Sequence, residues 1–265
     1  MKLHVSALFI YPVKSLAGVP LSQAELTPTG FRFDRSWMIV DQYDVFLTQR
    51  QHPRMARVKV VPAADSLKIT VPGSPAVEVP VKGDAPVRTV TVWENRCDAV
   101  DQGDQAAALL GDYLGRPCRL VRMAPGFTRQ LSQRHLVTGR EEVGFADSMP
   151  LLLTAQASLE DLNSRLPDPV EMSRFRPNIV VAGSTPFQED TWKRLRIGEG
   201  IFRVAKSCIR CEIITVDQES GEKGVQPLET LGTYRTGPKG IAFGRHLVHE
   251  RLVTIRTGDE VEVLE

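Results

Sequence analysis

The chain has 265 residues, 33 basic and 32 acidic side chains, a formal net charge of +1, 42% hydrophobic and 25% charged residues. These globular proportions exclude collagen, coiled coil and extensive disorder, and the near-neutral balance argues against a nucleic-acid coat, which needs a basic excess to release counterions from many phosphates. No apolar run approaches the roughly 20 residues of a spanning helix, so a soluble protein without a membrane partner is expected.

The opening segment has one basic residue, Lys2, before an apolar stretch, but Pro12 and Lys14 cut that stretch short and no small-x-small cleavage site follows. It reads as a first strand, with a cytoplasmic location as the expectation. Short strands are predicted at 3–10, 21–26, 37–41, 58–61, 67–71, 77–81 and 87–92, where β-branched and aromatic residues are separated by Pro, Gly, Asn and Asp. Such spacing suggests an antiparallel barrel or sandwich. A helix is predicted over 104–114, with Ala106, Leu109, Leu110, Tyr113 and Leu114 as its apolar stripe and Gly115 as its stop. A strand over 118–122 follows Arg116-Pro117.

From 124 to 144 the composition turns polar, with Arg129, Gln130, Gln133, Arg134, Arg140, Glu141 and Glu142 and no sustained period. This is a linker or an active-site loop, and it suggests domains at 1–122 and 123–265. Beyond it a helix is predicted over 158–166, with Ser158 as N-cap and Asp161 three residues on. Strands are predicted at 178–181, 202–205, 212–216, 246–250, 253–256 and 261–264, and Pro227 opens a short helix through Leu231 to Tyr234.

Standard phosphate motifs are missing: Gly198-Glu199-Gly200 lacks a third glycine, and no Gly-Lys-Ser/Thr follows a glycine-rich loop. His246 and His249, three apart on a predicted strand, face opposite sides and read as surface or packing residues rather than a metal pair. The four cysteines, Cys97, Cys118, Cys208 and Cys211, are too few and dispersed for a secreted disulfide framework. Cys208-Ile209-Arg210-Cys211 does not read as a thioredoxin-type pair, which opens a helix, because 212–216 reads as strand. A structural zinc needs a second ligand pair, and Cys97 and Cys118 lie too far apart to supply one. Two readings remain: a thiolate flanked by Lys206 and Arg210, suited to a soft metal or to nucleophilic attack, or two buried cysteines acting as small hydrophobes.

Three polar clusters accompany the cysteines. Lys14 in Tyr11-Pro12-Val13-Lys14-Ser15 is a solvated loop residue or a phosphate ligand; Arg35 in Phe33-Asp34-Arg35-Ser36-Trp37 pairs with Asp34 or Asp41 or serves a site; Arg176 in Arg174-Phe175-Arg176-Pro177-Asn178 is a surface charge or a ligand. Taken singly, each reads as solvated.

In this order, Tyr-Pro-Val-Lys-Ser, Asp-Arg-x-Trp, Phe-Arg-Pro-Asn, Cys-x-Arg-Cys with its Thr-Val-Asp, and Pro-Leu-x-Thr-Leu-x-x-Tyr-Arg together resemble the MOSC family, named for the C-terminal domain of molybdenum cofactor sulfurases. The closer likeness is to two-domain members such as bacterial hydroxylaminopurine-resistance proteins and the mitochondrial amidoxime-reducing component, and it covers nearly the whole chain. It implies a mainly β protein with a few helices: an N-terminal β-barrel-like domain plus a MOSC β-barrel domain, with a molybdopterin cofactor between them. By resemblance Cys211 is the metal ligand, Lys14, Ser15 and Arg35 hold the pterin and its phosphate, and Arg176 and Asn178 form a second contact group. Ile209 and Arg210 give loop contacts, and Ser148 is the small hydroxyl residue. Met149 replaces a serine, and His246 stands where tyrosine or asparagine is common.

The implied reaction is a detoxifying two-electron reduction of hydroxylamines, N-hydroxylated bases or amidoximes. Asp217, just past the ligand, either orients a water or proton donor or forms the turn before Gln218-Glu219-Ser220-Gly221. No nicotinamide or flavin fingerprint is present, and the four cysteines do not follow the ferredoxin spacing. No iron–sulfur cluster is therefore expected in this chain; electrons are expected from a separate ferredoxin-, flavodoxin- or cytochrome-type protein with its reductase. Sulfur carriage through a Cys211 persulfide, a pyridoxal-phosphate site with Lys14 as Schiff base, and a non-catalytic pterin carrier stay open.

Overall fold

Alternation of apolar and polar residues along His4–Ile10 breaks once: Val5, Leu8 and Ile10 are all buried although Val5 differs in parity from the other two. In the computed structural model, which describes residues 2–83, 85–130 and 141–265, a β-bulge between Val5 and Ala7 explains this. The extra residue swaps the two faces, so both halves of the strand point into one core. That strand pairs antiparallel with Ile179–Ala182, which pairs parallel with Leu151–Ala155. The same sheet continues through Gly240–His249, Gly200–Ile209, Arg194–Ile197 and Val261–Val263. Strand pairing thus does not divide at residue 122. The first strand is built into the C-terminal sheet, and Gln23–Thr27 pairs with Thr254–Arg256.

Two smaller sheets complete the N-terminal half. One runs Trp37–Val40, Arg119–Met123, Asn95–Asp101, Val87–Val92; the other is the meander Lys59–Pro62, Ser66–Thr70, Val77–Pro80. The helix Asp104–Leu114 lies where expected. It buries Ala106, Leu110 and Leu114, spaced by four, and ends on left-handed Gly115, whose N–H caps Gly111. A core joins Val5, Leu8, Ile10 and Phe31 to Leu151, Ile179, Phe202 and Leu247, so both ends of the chain share one apolar interior. Truncating Leu8 there removes a side chain 1% exposed, which typically costs about 2–5 kcal/mol.

Three expectations change, and one strand is added to them. The strand expected over 21–26 is two, Val19–Leu21 and Gln23–Thr27, because the first pairs with His4–Ile10 and the second with Thr254–Arg256. The strand Asn95–Asp101 went unread because charged residues interrupt it; Arg88 and Arg119 pair with Asp101 across its neighbours. Ser158 is not an N-cap. The helix is Gln156–Asn163, and the buried Ser158 hydroxyl lies 2.8 and 2.9 Å from the Glu189 carboxylate oxygens, while its oxygen accepts the Phe187 N–H. A carboxyl raised by burial needs donors more than the helix end needs a cap.

The third change touches the cysteines: 212–216 is not a strand. Glu212–Thr215 is a 3-10 helix, with the Cys211 carbonyl accepting the Ile214 N–H and Thr215 Oγ1 bonding the Glu212 carbonyl. Tertiary packing overrides the β-branched run, because the turn drives Ile214 into a core with Leu162, Phe175, Leu231 and Phe243. Within the polar stretch 124–144, Arg129–Gln130 pairs with Glu142–Val143. Gln133, Arg134 and Arg140 lie outside the described residues.

Candidate active site

One cleft gathers residues from both ends of the chain. Lys14, Ser15, Arg35, Ser148, Arg176, Asn178, Ile209, Arg210, Cys211 and His246 all line it. Three of them, Ser15, Arg35 and Arg176, have φ of 65°, 47° and 55°. Non-glycine residues in that region are strained, and such strain collects at functional sites. Asp217 is not among the lining residues. Its carboxylate accepts the Glu219 and Ser220 N–H groups and pairs with Arg174 at 2.7 Å, which is the turn-forming role.

Tyr11 organises the cationic wall. Its N–H donates to Asp34 Oδ1 at 2.7 Å, and the Arg35 and Arg176 guanidinium carbons lie 4.3 and 4.2 Å from its ring centroid. The ring thus stabilises two like charges near each other. A Cβ at Gly18 would fall 2.6 Å from that ring, so only glycine lets the backbone pass there. Arg35 pairs with Asp34 at 2.5 Å and also bonds Asn178 Oδ1 and the Arg176 carbonyl. Asn178 is a brace: its Oδ1 accepts from the Leu152 N–H as well, and its Nδ2 donates to the Phe9 carbonyl.

Lys14, its side chain 6% exposed, donates to the Phe145 carbonyl and pairs with Asp147. Burial alone would raise the Asp147 carboxyl; the Lys14 ammonium outweighs it and holds the group well below the usual carboxylate range. A depressed carboxyl contributes stability that is present above its unfolded pKa and lost as pH falls through the folded value. Asp147→Asn is therefore expected to destabilise the protein by about 2 kcal/mol at pH 7, less than a fully buried pair because Asp147 is half exposed. The difference from wild type should shrink in strong acid. Urea unfolding at both pH values checks this; equal stability at pH 7 would show that solvent screens the pair.

The two cysteines differ sharply. Cys211 is exposed at the mouth, and Arg50 Nη1 lies 3.6 Å from its sulfur. Cys208 is buried. Burial would push its thiol up, yet Arg210, with Nη1 2.9 Å from the sulfur, and His246 outweigh it and bring the pKa down to about 6. Arg210 thus serves Cys208, the cysteine it flanks in sequence together with Lys206. His246 Nδ1 also lies 3.4 Å from the Leu151 carbonyl, and no cluster of three metal-type ligands forms among the described residues.

The cleft wall carries more positive charge than its own carboxylates and thiol match. Lys14 is matched by Asp147, Arg35 by Asp34 and Arg210 by the Cys208 thiolate. Arg176, nearly buried, donates to the Leu16 carbonyl and contacts no carboxylate among the described residues; burial and the Arg35 charge lower its pKa to about 10. The buried Nε of Arg210 likewise lacks a partner among them. The cleft therefore presents surplus buried cation and free donors, which suit a phosphate, beside an exposed soft sulfur. These residues fit the phosphate and the soft metal of the cofactor that the resemblance implies.

Arg50, Asp147 and Trp93 were not read from the sequence. Arg50 sits in Thr48-Gln49-Arg50-Gln51 and Trp93 on a hairpin turn, with no motif around either; Asp147 directly precedes Ser148, which was the nearest signal.

The chain is thus a β-rich protein whose two halves line one cleft with cationic side chains and place a thiol at its mouth. Residues 2–117 match the MOSC N-terminal beta barrel domain and residues 140–262 the MOSC domain; the chain belongs to the MOSC family. Mitochondrial amidoxime-reducing component 1 of Homo sapiens is 34% identical over 278 residues, covering 98% of this chain and 82% of that one. Mitochondrial amidoxime reducing component 2 of Rattus norvegicus is 34% identical over 97% of this chain and 82% of its own length. Molybdenum cofactor sulfurase of Danio rerio is 33% identical over 92% of this chain, which spans 31% of that protein.

Proposed function

We propose that the chain is a molybdenum-cofactor-dependent oxidoreductase that reduces N-hydroxylated compounds, namely hydroxylamines, N-hydroxylated bases and amidoximes, with electrons from a separate carrier protein. The observation that carries the reading is the exposed Cys211 sulfur at the mouth of a cleft whose wall holds surplus buried cation. The names of the similar amidoxime-reducing components support the substrate class. When bound, the molybdenum cofactor supplies the two-electron redox chemistry. The net change is R–NH–OH + 2 e⁻ + 2 H⁺ → R–NH₂ + H₂O: the N–O bond breaks, the nitrogen and the departing oxygen each gain a proton, and the carrier protein is oxidised.

The chain's own residues bind and orient. Arg176, Arg35, Arg210 and Lys14 hold the anionic end of the cofactor, and Cys211 Sγ is its soft protein donor. Ser15 adds a hydroxyl, Asn178 braces Arg35, and Ser148, Ile209 and His246 line the remaining wall. Purified, cofactor-loaded protein should reduce 6-hydroxylaminopurine with reduced viologen, or with a reconstituted flavoprotein and carrier, and should turn over slowly with NADPH alone. Fast turnover with NADPH as sole donor would remove the need for a carrier. Bound molybdenum without turnover on any low-potential donor would favour sulfur transfer through Cys211, as the likeness to a sulfurase allows.

A further inference from the structure

The hairpin joining Val87–Val92 to Asn95–Asp101 turns through two residues, Trp93 and Glu94. A positive φ in such a turn favours glycine, asparagine or aspartate; here it belongs to a tryptophan at φ 55°, a strained choice for a bulky residue. Trp93 is 45% exposed, whereas Trp37 and Trp192 are buried. Core packing therefore does not account for it.

Position does. The Trp93 indole N–H donates to Asp147 Oδ1 at 3.0 Å, and its ring packs on Phe46 with centroids 4.9 Å apart. The Arg50 guanidinium lies over the Trp93 ring, 4.6 Å from its centroid, and Lys223 Nζ holds the Arg50 carbonyl. Arg50 comes from the N-terminal half, yet its Nη1 stands 3.6 Å from the Cys211 sulfur. Among the described residues it forms no ion pair with a carboxylate.

We propose that Arg50 is a substrate-binding residue, set in place by Trp93, whose guanidinium donates to the oxygen of an N-hydroxyl group presented at Cys211. The substrate class rests on the reduction reading above; the placement of the cation does not. A guanidinium offers five donors in one plane, and a sulfur 3.6 Å away is a weak acceptor that leaves them under-used. Stacking on Trp93 fixes that plane beforehand, so less freedom is lost when the ligand arrives. The N-terminal half then selects the substrate while the C-terminal half supplies the thiol, which gives the two halves a reason to close on one cleft.

The test compares benzamidoxime with benzamide, both uncharged at neutral pH and differing at the N-hydroxyl group, on oxidised, cofactor-loaded protein without an electron donor, so that neither is turned over. Calorimetry should show wild type binding benzamidoxime about tenfold more tightly, as expected for a hydrogen bond to a charged donor. Arg50→Ala should remove that preference, Arg50→Lys should keep part of it, Trp93→Ala should reduce it and Trp93→Phe should restore it. With a donor supplied, KM for benzamidoxime should rise in Arg50→Ala and Trp93→Ala. If Arg50→Ala fails to retain molybdenum, Arg50→Lys and the two Trp93 variants carry the comparison. Equal binding of the two ligands by wild type, or an unchanged preference in the Arg50 and Trp93 variants, would overturn the proposal. Failure of the reduction reading looks different: benzamidoxime is not reduced with any donor, yet the Arg50-dependent preference persists.

Discussion

Cys211→Ala is expected to abolish molybdenum retention, whereas Cys208→Ala should leave most of it, when metal is measured in protein purified from a cofactor-competent host. The asymmetry follows from placement. Cys211 ends the extended run after Gly200–Ile209 and exposes its sulfur at the cleft mouth. Cys208 is buried and already committed to Arg210 and His246. Cys208→Ala should instead cost stability, because it removes the anion that matches the buried Arg210 guanidinium, and breaking a buried charge pair typically costs about 3–5 kcal/mol. Cys208→Ser, which keeps an acceptor but not a thiolate, should lose somewhat less. Equal metal loss from both alanine variants would point to a dithiol site, and full retention in Cys211→Ala would end the molybdenum reading.

What the sequence made legible was chemistry more than geometry. Lys14, Arg35, Arg176 and the Cys208–Cys211 segment each looked unremarkable alone, and their order along the chain carried the signal. The structure supplies what order cannot: the Tyr11 ring beside two guanidinium groups, the bond from Arg210 to the buried Cys208, and the first strand's membership of the C-terminal sheet. Local propensity misread 212–216, because burial of Ile214 outweighs the β preference of Ile213, Ile214, Thr215 and Val216. It also misread Ser158, where a buried carboxylate claims the hydroxyl. Arg50 and Trp93 were invisible for another reason. Their meaning lies in a contact spanning 161 residues, and neither residue type is unusual in a loop.

Arg176→Met is expected to raise the stability of cofactor-free protein and to lower its cofactor occupancy, opposite effects from one side chain. Arg176 is 7% exposed, lies near Arg35 and touches no carboxylate among the described residues. Burial, then Arg35, lowers its pKa to about 10, which corresponds to a cost on the order of 3 kcal/mol for keeping the group charged inside the fold. Because the pKa of a cation is depressed, that cost is fully present at any pH below about 10 and is relieved only as pH rises through it, so a measurement at pH 7 reads all of it. Methionine occupies much of the same volume without charge, and replacing a buried charge by an apolar side chain is often stabilising. Against this stand the lost bond to the Leu16 carbonyl, worth roughly 1–2 kcal/mol, and the lost contact with the Tyr11 ring, worth about 0.5–1 kcal/mol. The balance favours a gain of about 1 kcal/mol in the empty protein. Adding the cofactor should reverse the order, because wild type gains an anion for Arg176 and the variant does not; ligand that binds only the folded state stabilises it in proportion to its affinity. Unfolding measured with and without cofactor, beside pterin fluorescence after oxidation, reads both terms. Loss of stability in the empty Arg176→Met protein would make Arg176 a structural brace between Leu16 and Tyr11, and wild-type occupancy would remove it from the anion site.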